Sequence, residues 1–219
     1  MPADPANRRP IAQVFRATAH RATRWCTRVG IQPNWISYAS MAASSIAAVA
    51  FACSGTHLGM LLLGCVACVV RLWCNMLDGM VAIEGGTISR QGEIVNELPD
   101  RISDVLIFVG VALNSTCSIH AGYASAIAAL LVAYVGIIGQ TVGTPRQFGG
   151  WMSKPWRMVV VMLAALLTGI VGNEVLISVV GQGVSWLTLG CWVVVAGAVQ
   201  TVVVRLRRIM QWLAENPDR

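Results

Sequence analysis

Six of the chain's ten Asp and Glu residues fall between Asp78 and Asp104. Within that stretch, oxygen-bearing side chains recur at helical spacing on both sides of a glycine-containing turn. Arg71, Asn75 and Asp78 follow one another at intervals of four and three, which puts them on one face of a helix. Past the turn, Glu93, Glu97, Asp100 and Asp104 recur at intervals of four, three and four, with Asn96 at the border of the same stripe. Carboxylates gathered in one cleft repel each other and resist ionisation unless a cation joins them, and a hard divalent ion with oxygen ligands meets that demand. Spacing alone leaves a second reading open, a solvated acidic loop beside a basic surface.

The elements that must position these residues are apolar. Of 219 residues, 56% are hydrophobic and 12% charged, against about 25% charged in an ordinary soluble domain. Mean hydropathy is +0.65. Six runs, around 35–53, 58–77, 101–117, 122–142, 156–172 and 184–204, approach the ~20 residues that cross a bilayer as a helix. The fold class expected is therefore an all-α integral membrane protein with six transmembrane helices. A charge near the middle of a spanning helix costs about 2.5–3.5 kcal/mol on insertion scales, so the face carrying Arg71, Asn75 and Asp78 must look at protein or water. Pro99 either opens the third span at its first turn or kinks a longer helix, and both keep Asp100 at the membrane's edge.

Basic residues orient the chain. Arg8, Arg9, Arg16, Arg21, Arg24 and Arg28 precede the first span, and Arg90 and Arg101 flank the acidic stripe. Arg146, Lys154 and Arg157 occupy the fourth loop; Arg205, Arg207, Arg208 and Arg219 follow the last span. The first, third and fifth loops carry no Lys or Arg, so the positive-inside rule puts both termini and the acidic stripe on the cytoplasmic side of an inner membrane. In the segment 10–29, Ile11, Val14, Phe15, Thr18, Ala22 and Trp25 share a face ringed by arginines, as in a helix lying in the headgroup region against anionic lipid. The organisation expected is a cytoplasmic segment over 1–34 with this interfacial amphipathic helix, a six-helix transmembrane domain over 35–204, and a basic tail over 205–219. The N-terminus has no secretory signal pattern, so no cleavage is expected.

Other chemistry finds little support. Cys65 and Cys68 form a C-x-x-C inside an apolar run without a second pair, which reads as small-residue packing. His20, His57 and His120 share no segment, so a histidine metal site has no basis. No nucleic-acid partner is expected.

The order of residue types in the acidic stretch resembles the signature of the CDP-alcohol phosphotransferase family, D-x-x-D-G-x-x-A-R, eight residues, then G-x-x-x-D-x-x-x-D. In this sequence it reads Asn75, Asp78-Gly79, Ala82-Ile83, eight residues from Glu84 to Gln91, then Gly92, Asn96 and Asp100, without a gap. "GIQPNWISYAS" at 30–40 is similar to the Pro-Asn-then-Ser/Thr start that many members show at their first span. The resemblance implies transfer of a phosphatidyl group from CDP-diacylglycerol to an alcohol acceptor, with CMP released. It implies one or two Mg2+ or Mn2+ ions held by the residues at Asn75, Asp78, Asn96 and Asp100, with Asp100 as the catalytic base. It also implies a homodimer embedded in membrane lipid.

Three positions depart from the signature: Asn75 and Asn96 stand where it has Asp, and Ile83 where it has Arg. Each Asn keeps an oxygen donor and loses a charge, and Glu93, one residue past Gly92, is placed to compensate, with Glu97 and Asp104 in reserve. Gly79, Ala82 and Gly92 leave room for a nucleotide near the backbone or else serve tight helix packing. Arg146, Lys154 and Arg157 are candidate phosphate contacts, Lys154 first among them, or else topology determinants that meet lipid headgroups, and Arg71 either pairs with Asp78 or meets a phosphate. The two asparagines keep a catalytically inactive homologue, acting as a membrane assembly partner, in view. A cation transporter is weaker, because the third to sixth spans hold almost no ionisable residues between their ends.

Overall fold

Glycine and proline divide the apolar runs into helices in the computed structural model, which describes residues 16–86, 90–145, 147, 149–172, 178–179 and 182–216; side chains at 16–18, 90–93, 95–96, 178–179 and 182–183 lie outside that description. Helix α1 spans Arg16–Val29, α2 Pro33–Ser54, α3 Leu58–Glu84, α4 Arg90–Ala112, α5 Ile119–Thr141, α6 Lys154–Val171 and α7 Trp186–Glu215. Pro33 opens α2 at its first turn, where its missing N–H would have had no intrahelical partner. Gly55, at φ 50°, ends α2 in a backbone conformation that side chains disfavour. Between α6 and α7, Ser178–Val179 and Gln182–Gly183 form a two-residue antiparallel pair within the connecting loop, and the fold is all-helical as expected.

Contacts between helices run in a closed circuit. α2 packs on α3 and α4, α4 on α5, α5 on α7, α7 on α6, and α6 back on α3; α1 lies against α3. Small residues let backbones approach along this circuit, as packing in a bilayer requires. A Cβ on Gly110 of α4 would stand 2.3 Å from the Ala48 carbonyl oxygen of α2, and one on Gly122 of α5 would stand 2.5 Å from the Ala112 Cα. Phe51, Leu61, Phe108, Val111 and Val161 fill the apolar core between these contacts. At the end of α4, Asn114 Nδ2 donates to the Phe51 carbonyl and to Ser54 Oγ, both at 2.8 Å, pinning the α2–α3 turn.

α3 and α4 scarcely touch directly. Charge joins them. Arg71 of α3 donates from Nη2 to Asp104 Oδ1 at 2.6 Å, and Arg157 of α6 donates from Nη2 to Asp104 Oδ2 at 2.7 Å. All three side chains are buried, and Arg157 Nη1 also reaches the Ala129 carbonyl of α5 at 3.4 Å. One carboxylate thus ties three helices of the circuit together, and Arg157 extends the tie to a fourth.

Five helices, α2, α3, α5, α6 and α7, are long and apolar enough to cross a membrane. α4 is not among them, because Glu97, Asp100, Arg101 and Asp104 dilute its first half. It begins at Arg90, so Pro99 lies inside a longer helix, and it ends at Ala112 instead of continuing to 117. α7 runs without a break to Glu215, and Arg205 is buried, its Nη1 donating to the Val132 carbonyl at 2.8 Å. In α1, Ala19, Thr23 and Cys26 are buried and Trp25 is exposed, so Ala19 and Cys26 take protein contacts outside the expected lipid-facing set; Ile11, Val14 and Phe15 lie outside the described residues.

Removing one member of a buried ion pair strands its partners in low dielectric at a cost of about 3–5 kcal/mol. Asp104→Ala is expected to lower thermal stability in detergent by that order, read as a large drop in Tm by fluorescence-detected size exclusion; a Tm within a degree of wild type would refute the clamp. Gly110→Ala is expected to destabilise as well, since the new methyl meets backbone, and an unchanged Tm would show that α2 and α4 do not approach as closely as described.

Candidate functional site

Beside the Asp104 clamp, four helices bring polar side chains together. α3 contributes Asn75 and Asp78, α4 Asp100, α6 Lys154 and α2 Ser37. Asp78 is buried; its Oδ2 accepts from Ser37 Oγ at 2.8 Å and its Oδ1 from the Gly79 N–H at 2.6 Å. Lys154 Nζ donates to Asp100 Oδ2 and, at 3.3 Å, to Asn75 Oδ1. Asp100 Oδ1 lies 3.8 Å from Arg71 Nη2, outside hydrogen-bond range. Asp78 lies one turn from Asn75 on the same helix and is near enough to Asp100 and Lys154 for their charges to act on it.

Helix geometry explains the convergence. Intervals of four and three stack Arg71, Asn75 and Asp78 on the inner face of α3, and the interval of four stacks Asp100 and Asp104 on α4. Lys154 and Arg157, three apart, share the first turn of α6, which contains no acid. That helix end already carries about half a positive charge from its aligned peptide dipoles, so two cations there depend on the carboxylates of α4 opposite.

Several expected residues stand elsewhere. Arg71 reaches Asp104 and approaches Asp100, and Asp78 instead takes Ser37. Glu97 pairs with Arg101 along α4, one turn on. Arg157, considered for phosphate, is committed to Asp104. Gly92, Glu93 and Asn96 lie on α4 with side chains outside the description, and Arg146 is outside the described residues. A Cβ on Gly79 would meet nothing within 4 Å, so helix packing does not demand glycine there. Ala82 is half-buried and Ile83, where the signature has Arg, is 70% exposed. Ser37 was the residue missed, although the Pro-Asn-then-Ser pattern pointed to it; Asp104, expected as a spare ligand, is the centre of the clamp.

Among the described residues, no three His, Cys, Asp or Glu side chains form a metal-holding group. All seven cysteines are free thiols, Cys65 and Cys68 included, both buried in α3. The donors that do converge, Asn75 Oδ1, Asp78 and Asp100, are all oxygen. That set fits one hard divalent cation, since Mg2+ commonly takes one or two carboxylates and completes its shell with water and substrate phosphate.

The sequence profile of the CDP-alcohol phosphatidyltransferase family matches residues 31–187. Similar proteins include the phosphatidylinositol phosphate synthase of Mycobacteroides abscessus, 26% identical over 83% of this chain and 79% of that one. They also include the inner membrane protein YnbA of Escherichia coli, 25% identical over 73% of this chain and 79% of that one. Among solved structures, phosphatidylinositol phosphate synthase of Mycobacterium tuberculosis with CDP-DAG bound shares the fold at a TM-score of 0.68, with 23% identity over 87% of this chain and 92% of that one. A structure of the same enzyme holds manganese and citrate, again at a TM-score of 0.68, with 22% identity over 88% of both chains. With the profile spanning most of the chain, the protein belongs to the CDP-alcohol phosphatidyltransferase family of membrane enzymes that transfer substituted phosphate groups.

Proposed function

We propose that this chain moves a phosphatidyl group from CDP-diacylglycerol to the hydroxyl of an alcohol and releases CMP. The observation that carries the reading is the meeting of Asn75 from α3 with Asp100 from α4 and Lys154 from α6, with buried Asp78 one turn along the same face of α3. The acceptor hydroxyl attacks the phosphorus next to the diacylglycerol, its proton passes to Asp100, and the bond from that phosphorus to the CMP oxygen breaks. Lys154 holds Asp100 Oδ2, which leaves Oδ1 to meet the hydroxyl. Gly79 opens space for the nucleotide beside Asp78, with Ala82 and Gly92 bordering it. Arg71 has buried Nε and Nη1 groups without hydrogen-bond partners among the described residues, which supports a part for it in phosphate contact; Arg146 remains a further basic candidate.

Mg2+ or Mn2+ would be held by Asn75, Asp78 and Asp100, with Glu93 and Asn96 on α4 as further oxygen donors. When bound, such an ion supplies charge neutralisation at the donor diphosphate. The names of the mycobacterial relatives favour a phosphorylated inositol as acceptor. α4 completes a six-span bundle despite its charges, since Asp100 and Asp104 are buried against protein; with both termini inside, the site opens to the cytoplasm, flanked by the surface segment 1–34 and the tail 205–219. The chain assembles as a homodimer in this reading.

The test is CMP release from radiolabelled CDP-diacylglycerol in membranes with Mn2+ and a panel of alcohols. Release confined to one acceptor, abolished by a chelator and restored by Mn2+, supports the reading; no turnover with any acceptor leaves an inactive assembly partner in its place. Asp100→Asn is expected to cut the rate by about 10²–10⁴-fold while the protein folds normally, and near-wild-type turnover would remove Asp100 as the base. Gly79→Ala is expected to leave Tm unchanged or to raise stability by about 0.5–1 kcal/mol, helix glycine being unfavourable, and yet to lower turnover. Full turnover in that variant would show that the open space at Gly79 is not used.

A further inference from the structure

We infer that Lys154 is a built-in cation of this site, standing between Asn75 and Asp100 as a metal ion would, and that the site therefore takes a single divalent ion. The inference rests on the transferase reading above and specifies how its charge is managed.

Among sixteen basic residues Lys154 is the only lysine. An ammonium is a compact point charge with three rotatable donors, whereas the guanidinium of the fifteen arginines is a planar fork. This one compact cation sits where oxygens from two separate helices meet. Its Nζ bridges Asn75 Oδ1 of α3 and Asp100 Oδ2 of α4, helices that otherwise scarcely touch. It is held there against the positive end of α6, with no acid in that first turn to offset it. A lysine placed for solubility or topology gains nothing from such a position.

Charge balance leads to the same count. Arg71, Lys154 and Arg157 face Asp78, Asp100 and Asp104, three cations against three carboxylates, so the described cluster is neutral before anything binds. A diphosphate diester brings two negative charges, which one divalent ion cancels. A second ion would add two uncompensated positive charges to a buried site, and Glu93 could offset only one of them. Asn75 fits this account: an aspartate there would take its own share of the Lys154 charge and leave the cluster negative, whereas asparagine supplies an oxygen to the ammonium without altering the balance.

The test is Mn2+ stoichiometry on the purified full-length chain, by electron paramagnetic resonance and elemental analysis after equilibrium dialysis, with and without CDP-diacylglycerol. Wild type is expected to hold about one ion per chain, and the double variant Asn75→Asp/Lys154→Gln about two, with Lys154→Arg remaining at about one. Two ions in wild type, or one in both wild type and the double variant, would overturn the inference while leaving the transferase reading intact. No Mn2+ on wild type even with CDP-diacylglycerol would overturn the metal-assisted reading itself. The wild-type count needs no variant, so it decides the stoichiometry even if the double variant does not fold.

Discussion

Asp104 accepting hydrogen bonds from Arg71 and Arg157 is the interaction on which the rest of this molecule depends. In a bilayer, helices gain little from hydrophobic association, because lipid tails are as apolar as leucine. Packing and polar contacts must then hold them in place, and a buried carboxylate between two guanidinium groups is both strong and directional. Since α3 and α4 make few direct contacts, the clamp determines how far apart their polar faces stand. That gap is the candidate site.

The same constraint accounts for the economy of the polar cluster. Every ionised group buried here needs a partner, and the partners come from different helices: Ser37 of α2 for Asp78, Lys154 of α6 for Asp100, and Arg71 of α3 with Arg157 of α6 for Asp104. The arrangement specifies geometry more than it adds stability, because desolvation offsets much of the attraction. It also leaves Gly79 facing open space in an otherwise crowded helix bundle. A phosphate-bearing lipid headgroup needs such a combination of fixed charge and room.

Much of this was legible from residue order. Five apolar runs became long helices; three keep nearly the expected limits, while α3 and α7 run on past them to Glu84 and Glu215. The interval pattern stacked Asn75 with Asp78 and Asp100 with Asp104 because α-helical periodicity is local and robust. Less legible was α4, whose apolar half was visible as the run from 101 but whose charged start precedes Pro99 by nine residues. The inner ends of the helices also misled: Asp104 read as a spare ligand, yet it lies one turn deeper than Asp100 and meets arginines from two other helices.

By itself the sequence determined the membrane class, the helical periods, the acidic signature and the family to which it belongs, since these follow from local pattern and from contiguous motif. Tertiary structure alone decided which cation meets which carboxylate. Arg71, Arg146, Lys154 and Arg157 are equivalent as positive charges in a string of letters, but only three-dimensional packing sends Arg71 and Arg157 to Asp104 and Lys154 to Asp100 and Asn75. The physical reason is that ion pairing in low dielectric depends on distance across helices, a quantity that sequence separation does not carry.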